Sequence, residues 1–368
     1  MTDRAEQTVG IADHRLDHRG KKGETDEHDL VPIMATATVK TATAKQCEPV
    51  LHGGDLGAVR RRFPQAPEPW LDLSTGINPV AYPLGAIAAE AWSRLPGRAD
   101  EEALRAVAAE RFGVRDRAMI VAAPGTQALI QLLPRLMAKA RVAVVGPTYE
   151  EHEVSWRRQG HDVTVVEEFA RTDGCDVAVV VNPDNPTGRL LSATELRTRQ
   201  AMLVVDEAFI DFLPTTASLA GDLPSNAIVL RSFGKTYGLA GLRLGFAVAQ
   251  PDLAARLREE LGPWAISGPA LAIGTAALAD TAWLQSTAAR LKDDSERLDA
   301  LLTKAGFALL GGTPLFRLAQ HEEAAKVVER LGRQGIHVRA FPHQPCWLRF
   351  GLPGSDTAFR RLAIALGI

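Results

Sequence analysis

Residues 228–249 read IVLRSFGKTYGLAGLRLGFAVA, in which two short apolar runs enclose a glycine-rich segment that carries Lys235. Apolar runs of this length, bounded by turn residues, are typical of strands buried on both faces of a sheet. Similar runs precede this stretch at 119–123, 142–145, 163–166, 177–181 and 202–206, and helical patterns lie between several of them. The alternation predicts an α/β fold with a mostly parallel sheet covered by helices.

The sequence patterns outside this region differ from those within it and predict additional domains and segments. The chain has 368 residues, which exceeds the ~250–300 residues at which single cores usually stop growing. We expect a large domain at 86–250 and a smaller α+β domain at 251–368, where long helical patterns precede short strands. Residues 49–85 are rich in Gly and Pro and are expected to pack on the small domain. Residues 1–48 lack periodicity, which favours a disordered tail.

Charge, hydropathy and cysteine usage argue against several classes of protein. The formal net charge is −2, so there is no reason to expect nucleic acid or an anionic membrane as a partner. No apolar run approaches the ~18 residues of a membrane span, and the charged N-terminus has no apolar signal-peptide core. Cys47, Cys175 and Cys346 match neither a disulfide framework nor a metal-ligand pattern. We therefore expect a cytoplasmic protein without a metal site.

Polar motifs follow three of the predicted strands: NPDNPTG at 182–188, DEAFIDF at 206–212 and SFGKTYG at 232–238. Ligands in open α/β sheets bind at the carboxyl ends of strands. We therefore expect Asn185, Asp206 and Lys235 to face one crevice. An amide, a carboxylate and an amine together suit a cationic heterocycle that carries an aldehyde.

The order and spacing of these motifs resemble the fold-type I pyridoxal-phosphate enzymes, the superfamily of aspartate aminotransferase, over roughly residues 50–368. The resemblance implies that pyridoxal 5'-phosphate is the cofactor and that Lys235 binds it as a Schiff base. It implies that Asp206 pairs with the pyridinium nitrogen, so that the ring remains an electron sink. Asn185 resembles the donor to the phenolate oxygen of the ring. Tyr149 resembles the aromatic residue that stacks on the ring, although plain packing is an alternative for it.

Further residues resemble the ligands of the cofactor phosphate. Ser232 and Arg243 stand three residues before and eight residues after Lys235, and an Arg side chain suits bidentate contact with phosphate. Gly125, Thr126 and Gln127 open a predicted helix, so their backbone N–H groups can point at the same anion. For Gln127, a solvated polar residue of the first helical turn is the alternative.

Within the superfamily, the sequence most resembles the threonine-phosphate decarboxylases of cobalamin biosynthesis. The resemblance rests on HGGDLGAVRRRF at 52–63, on LDLSTGINPVAYP at 71–83 and on Phe209, where histidinol-phosphate aminotransferases usually have Tyr. It implies decarboxylation of L-threonine O-3-phosphate to aminopropanol phosphate. The alternative is an aminotransferase acting on a phosphorylated amino acid or amino alcohol such as histidinol phosphate. A non-catalytic sensor domain is a third possibility, but residues 1–48 have no helix-turn-helix pattern.

Candidate substrate residues come from both ends of the chain. Arg349 resembles the arginine that binds the substrate α-carboxylate through its planar fork. We hypothesise that Arg339, His52 and Asn78 contribute to the pocket for the substrate phosphate or carboxylate; a structural role is the alternative for Arg339 and His52. The superfamily often has, at the position of Leu95, a tyrosine that reaches the cofactor phosphate of the partner subunit. That contact is therefore in doubt, while a homodimer is still expected.

Overall fold

Two β-sheets form the framework of the chain in the computed structural model, which describes residues 53–368. The strands of this region are, in chain order, β1 (Leu71–Leu73), β2 (Ile120–Ala123), β3 (Arg141–Val145), β4 (Asp162–Val166), β5 (Val177–Val181), β6 (Met202–Asp206), β7 (Ala227–Ser232), β8 (Gly245–Ala249), β9 (Ala308–Thr313), β10 (Phe316–Gln320), β11 (Ile336–Phe341) and β12 (Gln344–Gly351). Seven strands form one sheet in the order β2-β8-β7-β6-β5-β3-β4, and five form the other in the order β1-β11-β12-β10-β9.

Helices accompany both sheets. Those of the described region are α1 (Leu56–Arg62), α2 (Ala89–Ser93), α3 (Arg98–Phe112), α4 (Thr126–Leu136), α5 (Glu151–Arg158), α6 (Ala193–Leu196), α7 (Phe233–Thr236), α8 (Pro251–Leu261), α9 (Gly268–Ala279), α10 (Thr281–Lys304), α11 (Ala324–Arg333) and α12 (Asp356–Leu366). Between residues 53 and 368, none of the helices has the length and apolar character needed to cross a membrane.

The seven-stranded sheet is mostly parallel, so the predicted α/β fold is confirmed. Strands β3 to β7 pair in parallel, and only β8 runs antiparallel, against β2 and β7. Every residue of β5 is buried, as its uninterrupted apolar run predicts. Because β5, β6 and β7 are parallel neighbours, their carboxyl ends lie side by side at one edge of the sheet.

Helices α8 and α9 pack on the seven-stranded sheet, which corrects the boundary expected at residue 250. Leu257 of α8 lies in one core cluster with Val121 of β2. Leu271 of α9 lies in another with Phe246 of β8. Helix α9 has the sequence GPALAIGTAALA, and a helix that is apolar on all sides must be buried. The change of sequence pattern after β8 therefore does not mark the end of the hydrophobic core of the seven-stranded sheet.

The five-stranded sheet joins the N-terminal segment to the C-terminal part of the chain. Strand β1 pairs in parallel with β11, with Leu71 opposite Ile336. Phe316 and Phe350 form the core of this sheet together with Leu298 of α10. Strand β9 was not predicted, because its sequence ALLGGT leaves leucines exposed and contains two glycines. In the antiparallel pairing of β11 with β12, Arg339 lies directly opposite Arg349.

Candidate active site

A cavity of about 290 Å³ lies at the carboxyl ends of β5, β6 and β7. Its walls bring together ten of the site residues that the sequence predicts: Gly125, Thr126, Gln127, Tyr149, Asn185, Asp206, Ser232, Lys235, Arg243 and Arg349. Phe209 also lines it. The lining residues from Gly125 to Arg243 face one space because the strands of the seven-stranded sheet place their adjoining loops at the same edge. Arg349 reaches this space from β12 of the other sheet.

Lys235 lies on the short helix α7, directly after β7. Burial and the positive charge of Arg349 lower the pKa of Lys235 to about 8, although the carboxylate of Asp206 opposes this shift. The Nζ atom is 5.0 Å from the centroid of the Phe209 ring. A buried lysine with a lowered pKa has a larger neutral fraction near pH 7 and is therefore a better nucleophile.

Asp206 ends β6, and two partners fix its carboxylate in the cavity wall. Its Oδ2 lies 3.0 Å from Nε2 of His152, and its Oδ1 accepts a hydrogen bond of 3.0 Å from the backbone N–H of Ala208. His152 and Asp206 are 1% and 4% exposed, so water does not compete for this contact. His152 was not among the site residues predicted from the sequence. Its position on the helix after β3, three residues beyond Tyr149, was the available signal.

The N-terminus of α4 and Arg243 form a cradle for an anion. Gly125, which precedes α4, has a φ of 84°, a conformation that favours glycine. A Cβ atom at Gly125 would lie 2.6 Å from Nη2 of Arg243, so only glycine allows this close approach. Ser232 lines the same part of the cavity. Backbone N–H groups at a helix start and a guanidinium suit a phosphate group.

A hydrogen-bonded chain fixes the aromatic wall of the cavity. The hydroxyl of Tyr149 donates to Oε1 of Gln127 over 3.1 Å, and Nε2 of Gln127 donates to Oε2 of Glu151 over 2.7 Å. Burial and the nearby Glu151 raise the pKa of Tyr149, so its hydroxyl keeps the proton it donates. The Gln127 side chain is therefore bound to protein partners rather than solvated.

Arg349 is 7% exposed and joins the two sheets at the cavity. Its Nη1 donates to Oδ1 of Asn185, and its Nη2 donates to the carbonyl of Ser74 over 2.7 Å. Its buried Nε has no hydrogen-bond partner within residues 53–368. Burial and the neighbouring Arg339 lower the pKa of Arg349 to about 10, so it still carries its charge at neutral pH. A buried cation with a free donor suits an anionic ligand.

Arg339 lies in a second cavity, of about 480 Å³, that adjoins the first. The two cavities share Gly53, Tyr149, Asn185 and Arg349. Arg339 is half-buried, and its guanidinium carbon lies 5.6 Å from the centroid of the Phe341 ring. The predicted site therefore extends over two adjoining cavities. Arg243 and Arg349 line the first, and Arg157, Arg339 and Arg349 line the second.

Two predicted positions, Asn78 and Leu95, do not line the cavity, and a third cannot be placed because it precedes residue 53. Both ends of the Asn78 amide have protein partners: Nδ2 donates to the carbonyl of Thr236 and Oδ1 accepts from Arg290, each over 2.9 Å. In this structure the Asn78 amide holds the backbone beside Lys235, and its contact with substrate stays a prediction. Leu95 is 68% exposed. His52 lies outside the described residues.

The described residues 53–368 contain no group of three or more His, Cys, Asp or Glu side chains placed to hold a metal ion. The cavity offers instead a nucleophilic amine at Lys235, a fixed carboxylate at Asp206, an amide at Asn185 and an anion cradle at Arg243. This set can bind an aromatic cation that carries an aldehyde and a phosphate. Arg349 remains as a site for a second, carboxylate-bearing molecule.

Comparisons with known proteins assign the chain to a family. The family model of class I and II aminotransferases matches residues 86–366. A threonine-phosphate decarboxylase from Sinorhizobium sp is 44% identical over 86% of this chain and 98% of its own length. A histidinol-phosphate aminotransferase from Cupriavidus pinatubonensis is 29% identical over 84% of this chain and 92% of its own length.

A solved structure shows the same fold. The histidinol-phosphate aminotransferase from Sinorhizobium meliloti, solved in complex with pyridoxal-5'-phosphate, superposes with a TM-score of 0.72 at 22% identity. The match covers 90% of this chain and 97% of that one. With the family match over most of its length, the chain belongs to the class I and II aminotransferase family.

Proposed function

We propose that this chain is a pyridoxal-phosphate-dependent decarboxylase that converts L-threonine O-3-phosphate to aminopropanol phosphate and CO₂ in cobalamin biosynthesis. The observation that carries the proposal is the 44% identity to a threonine-phosphate decarboxylase over 98% of that protein. The cross-strand pairing of Arg339 with Arg349 between β11 and β12 supports it, because two neighbouring guanidinium groups suit a substrate that carries both a carboxylate and a phosphate.

The residues of the cavity fit pyridoxal phosphate. The cradle at Gly125 and Arg243, which a Cβ atom would fill, suits its phosphate. Asp206 suits a protonated ring nitrogen. Oδ1 of Asn185 accepts from Arg349, so its Nδ2 is the donor that remains for the ring oxygen. When bound, the cofactor supplies an aldehyde that condenses with amines and a ring that accepts the electron pair released at Cα.

The chain's own residues then select which bond at Cα breaks. Arg349 binds the substrate α-carboxylate and Arg339 the side-chain phosphate, so the two arginines fix the orientation of Cα between them. In the decarboxylase orientation the bond from Cα to the carboxylate carbon breaks and CO₂ leaves. The ammonium form of Lys235, after taking up a proton from the ammonium group of the substrate, would then donate a proton to Cα in place of the lost carboxylate. Selection by orientation is a positioning effect and needs no additional reactive group.

The alternative is an aminotransferase acting on histidinol phosphate or a similar compound. The experiment that separates the two incubates the purified enzyme with L-threonine O-3-phosphate and measures CO₂ and the amine product. A parallel reaction contains histidinol phosphate and 2-oxoglutarate and measures glutamate. CO₂ from the first reaction supports the proposal. Glutamate from the second, with no CO₂ from the first, replaces it with the aminotransferase.

The lowered pKa of Lys235 predicts how cofactor uptake depends on pH. The amine reacts in its neutral form, and its pKa is about 8. The rate at which cofactor-free enzyme forms a visible band with pyridoxal phosphate should rise with pH up to about 8 and then level off. An unshifted lysine would continue to rise towards about pH 10.4. Stopped-flow absorbance over this range makes the measurement, and a rate still rising beyond about pH 9 would contradict the shift.

The contact between His152 and Asp206 predicts a second effect. His152→Phe removes a hydrogen bond to a buried carboxylate, which is worth about 1.5–3 kcal/mol, so kcat should fall by about tenfold to a hundredfold. His152→Gln, whose amide can still donate, is the matched control and should recover part of the loss. Steady-state kinetics per bound cofactor tests this. An unchanged kcat in His152→Phe would show that Asp206 keeps its role without this partner.

A cytoplasmic homodimer is part of the same proposal. Trp92, Leu95 and Trp264 are large apolar side chains that are more than half exposed on the single chain, and their burial against a second copy would favour association. Light scattering on the purified protein should give twice the 39.6 kDa of one chain. A mass of one chain would remove the homodimer from the proposal.

A further inference from the structure

Charged side chains are buried behind the active-site edge of the seven-stranded sheet. The buried ion cluster consists of Glu207, Asp211, Arg231 and Thr236. Arg231 contacts Glu207 through Nη1 at 3.5 Å and pairs with Asp211 through Nη2. The hydroxyl of Thr236 donates to Oδ2 of Asp211 over 2.5 Å. The three charged side chains are at most 8% exposed, and Thr236 is 1% exposed.

Each end of the cluster is also tied to the backbone around it. Glu207 accepts hydrogen bonds of 2.6 Å from the hydroxyl of Ser218 and 2.8 Å from the backbone N–H of Leu219. Arg111 lies 3.7 Å from Asp211. Although burial opposes ionisation, the guanidinium groups of Arg231 and Arg111 hold the pKa of Asp211 below its ordinary value. Asp211 therefore stays a charged acceptor for Thr236.

Three members of the cluster directly follow or precede a residue of the cavity. Glu207 follows Asp206, Arg231 precedes Ser232 and Thr236 follows Lys235. Within β7, the successive side chains of Arg231 and Ser232 point to opposite faces of the sheet. Glu207 directly follows β6 and Thr236 ends α7, and the contacts above show that both reach the side of Arg231. The cluster thus joins the segments that carry the carboxylate, a phosphate ligand and the amine.

Asn78 also fixes the backbone segment that carries Lys235, through hydrogen bonds separate from the buried ion cluster. The carbonyl of Lys235 accepts from the backbone N–H of Asn78 over 2.9 Å. The carbonyl of Thr236 accepts from Nδ2 of Asn78 over 2.9 Å, and Arg290 fixes the amide of Asn78 through Oδ1. The backbone at 235–236 is therefore fixed by Asn78, while the Thr236 side chain is fixed by Asp211.

We propose that the buried ion cluster is a positioning device that fixes Lys235 relative to Asp206 and Ser232, with the hydrogen bond from Thr236 to Asp211 as its essential link. Thr236 and Asp211 are positioning residues, because neither lines the cavity. The inference rests on the proposed use of Lys235 as the amine that binds the cofactor. Without the link, the backbone at Lys235 keeps its hydrogen bonds to Asn78. The Thr236 side chain, however, loses its contact with Asp211 and, through Asp211, with Arg231 of β7.

The experiment compares Thr236→Val, which removes the hydroxyl at nearly constant volume, with Thr236→Ser, which keeps it. For each holoenzyme it measures kcat, KM, the melting temperature and the pH midpoint of the visible band of the bound cofactor. We expect Thr236→Val to lose about tenfold or more in kcat with KM changed by less than about threefold, and to shift the midpoint. Thr236→Ser should restore the kcat and the midpoint of the wild type.

The control is an ion pair of the five-stranded sheet, far along the chain from Lys235. Asp299 on α10 pairs with Nε of Arg317 on β10 over 2.6 Å. Asp299→Asn should lower the melting temperature but leave kcat and the midpoint unchanged. If Thr236→Val behaves in the same way, the cluster only stabilises the fold and the inference is overturned. If Thr236→Val does not fold, Asp211→Asn is judged by the same measurements.

Failure of the inference and failure of the proposed function give different results. The pH midpoint of the band and the melting temperature require cofactor but no substrate. If the wild type released no CO₂ from L-threonine O-3-phosphate, the decarboxylase would be rejected while a shifted midpoint in Thr236→Val still supported the positioning role. If CO₂ were released and the midpoint and kcat of Thr236→Val matched the wild type, only the positioning role would be rejected.

Discussion

A Lys235→Ala variant is expected to lose turnover by several orders of magnitude and to form no band that borohydride can fix to the protein. Lys235 is the only lysine among the described residues that line the two cavities, so no neighbouring amine can take its place. In the proposed mechanism, Lys235 both attaches the cofactor covalently and donates the proton to Cα. Functions that share one residue are lost together.

The measurement is direct. Borohydride reduction of the wild-type holoenzyme should attach the cofactor to one peptide, and mass spectrometry should place it on Lys235. Lys292→Ala is the matched control, because Lys292 is exposed on α10 and lies 4.0 Å from Glu296. It should keep full turnover and the same labelled peptide. A Lys235→Ala enzyme that turned over at the wild-type rate would remove Lys235 from the mechanism.

The cofactor side of the site could be predicted from sequence because it depends on local patterns. Each of Asn185, Asp206 and Lys235 follows a short apolar run, rich in β-branched residues, of a length typical of a buried strand. Parallel neighbours then bring the three strand ends together whatever the remaining topology is. The pairing order of β5, β6 and β7 in the structure agrees with this argument. The prediction used neither the lengths of the helices nor the arrangement of the five-stranded sheet.

The other features of the site depend on contacts between residues that are far apart in the chain. No local sequence pattern predicts such contacts. His152 and Asp206 are 54 positions apart, and a lone histidine on a helix is equally compatible with packing. Asn78 was predicted to face the substrate because its segment covers the site, yet its amide bonds to Thr236 and Arg290. The direction of one side chain decides between these roles, and it is set by tertiary packing.

The two arginines of the five-stranded sheet predict how the enzyme distinguishes its substrates. Arg339 and Arg349 are direct cross-strand neighbours, and burial together with the positive charge of Arg339 lowers the pKa of Arg349. Their repulsion in the free enzyme would be offset by a substrate with two anionic groups. A carboxylate at Arg349 and a phosphate at Arg339 meet that requirement, while unphosphorylated threonine leaves Arg339 without a ligand.

Truncation of Arg339 should therefore affect the phosphorylated substrate selectively. Loss of a contact to a bound anion costs about 2–5 kcal/mol, and the half-buried position of Arg339 favours the lower end. We expect Arg339→Ala to lower kcat/KM for L-threonine O-3-phosphate by about thirtyfold or more, with little change for L-threonine. Arg349→Ala should lower kcat/KM for both substrates, because both carry the carboxylate.

The ratio of kcat/KM for the two substrates decides the assignment, since it cancels any loss of active enzyme in a variant. Arg339→Ala should lower this ratio strongly, and Arg349→Ala should leave it within about threefold of the wild type. Arg339→Lys, which keeps the charge but not the planar fork, should fall between Arg339→Ala and the wild type. An equal loss for both substrates in Arg339→Ala would show that Arg339 does not bind the phosphate. Arg349 would then have to bind both anionic groups, or the phosphate would be bound by residues outside those the structure describes.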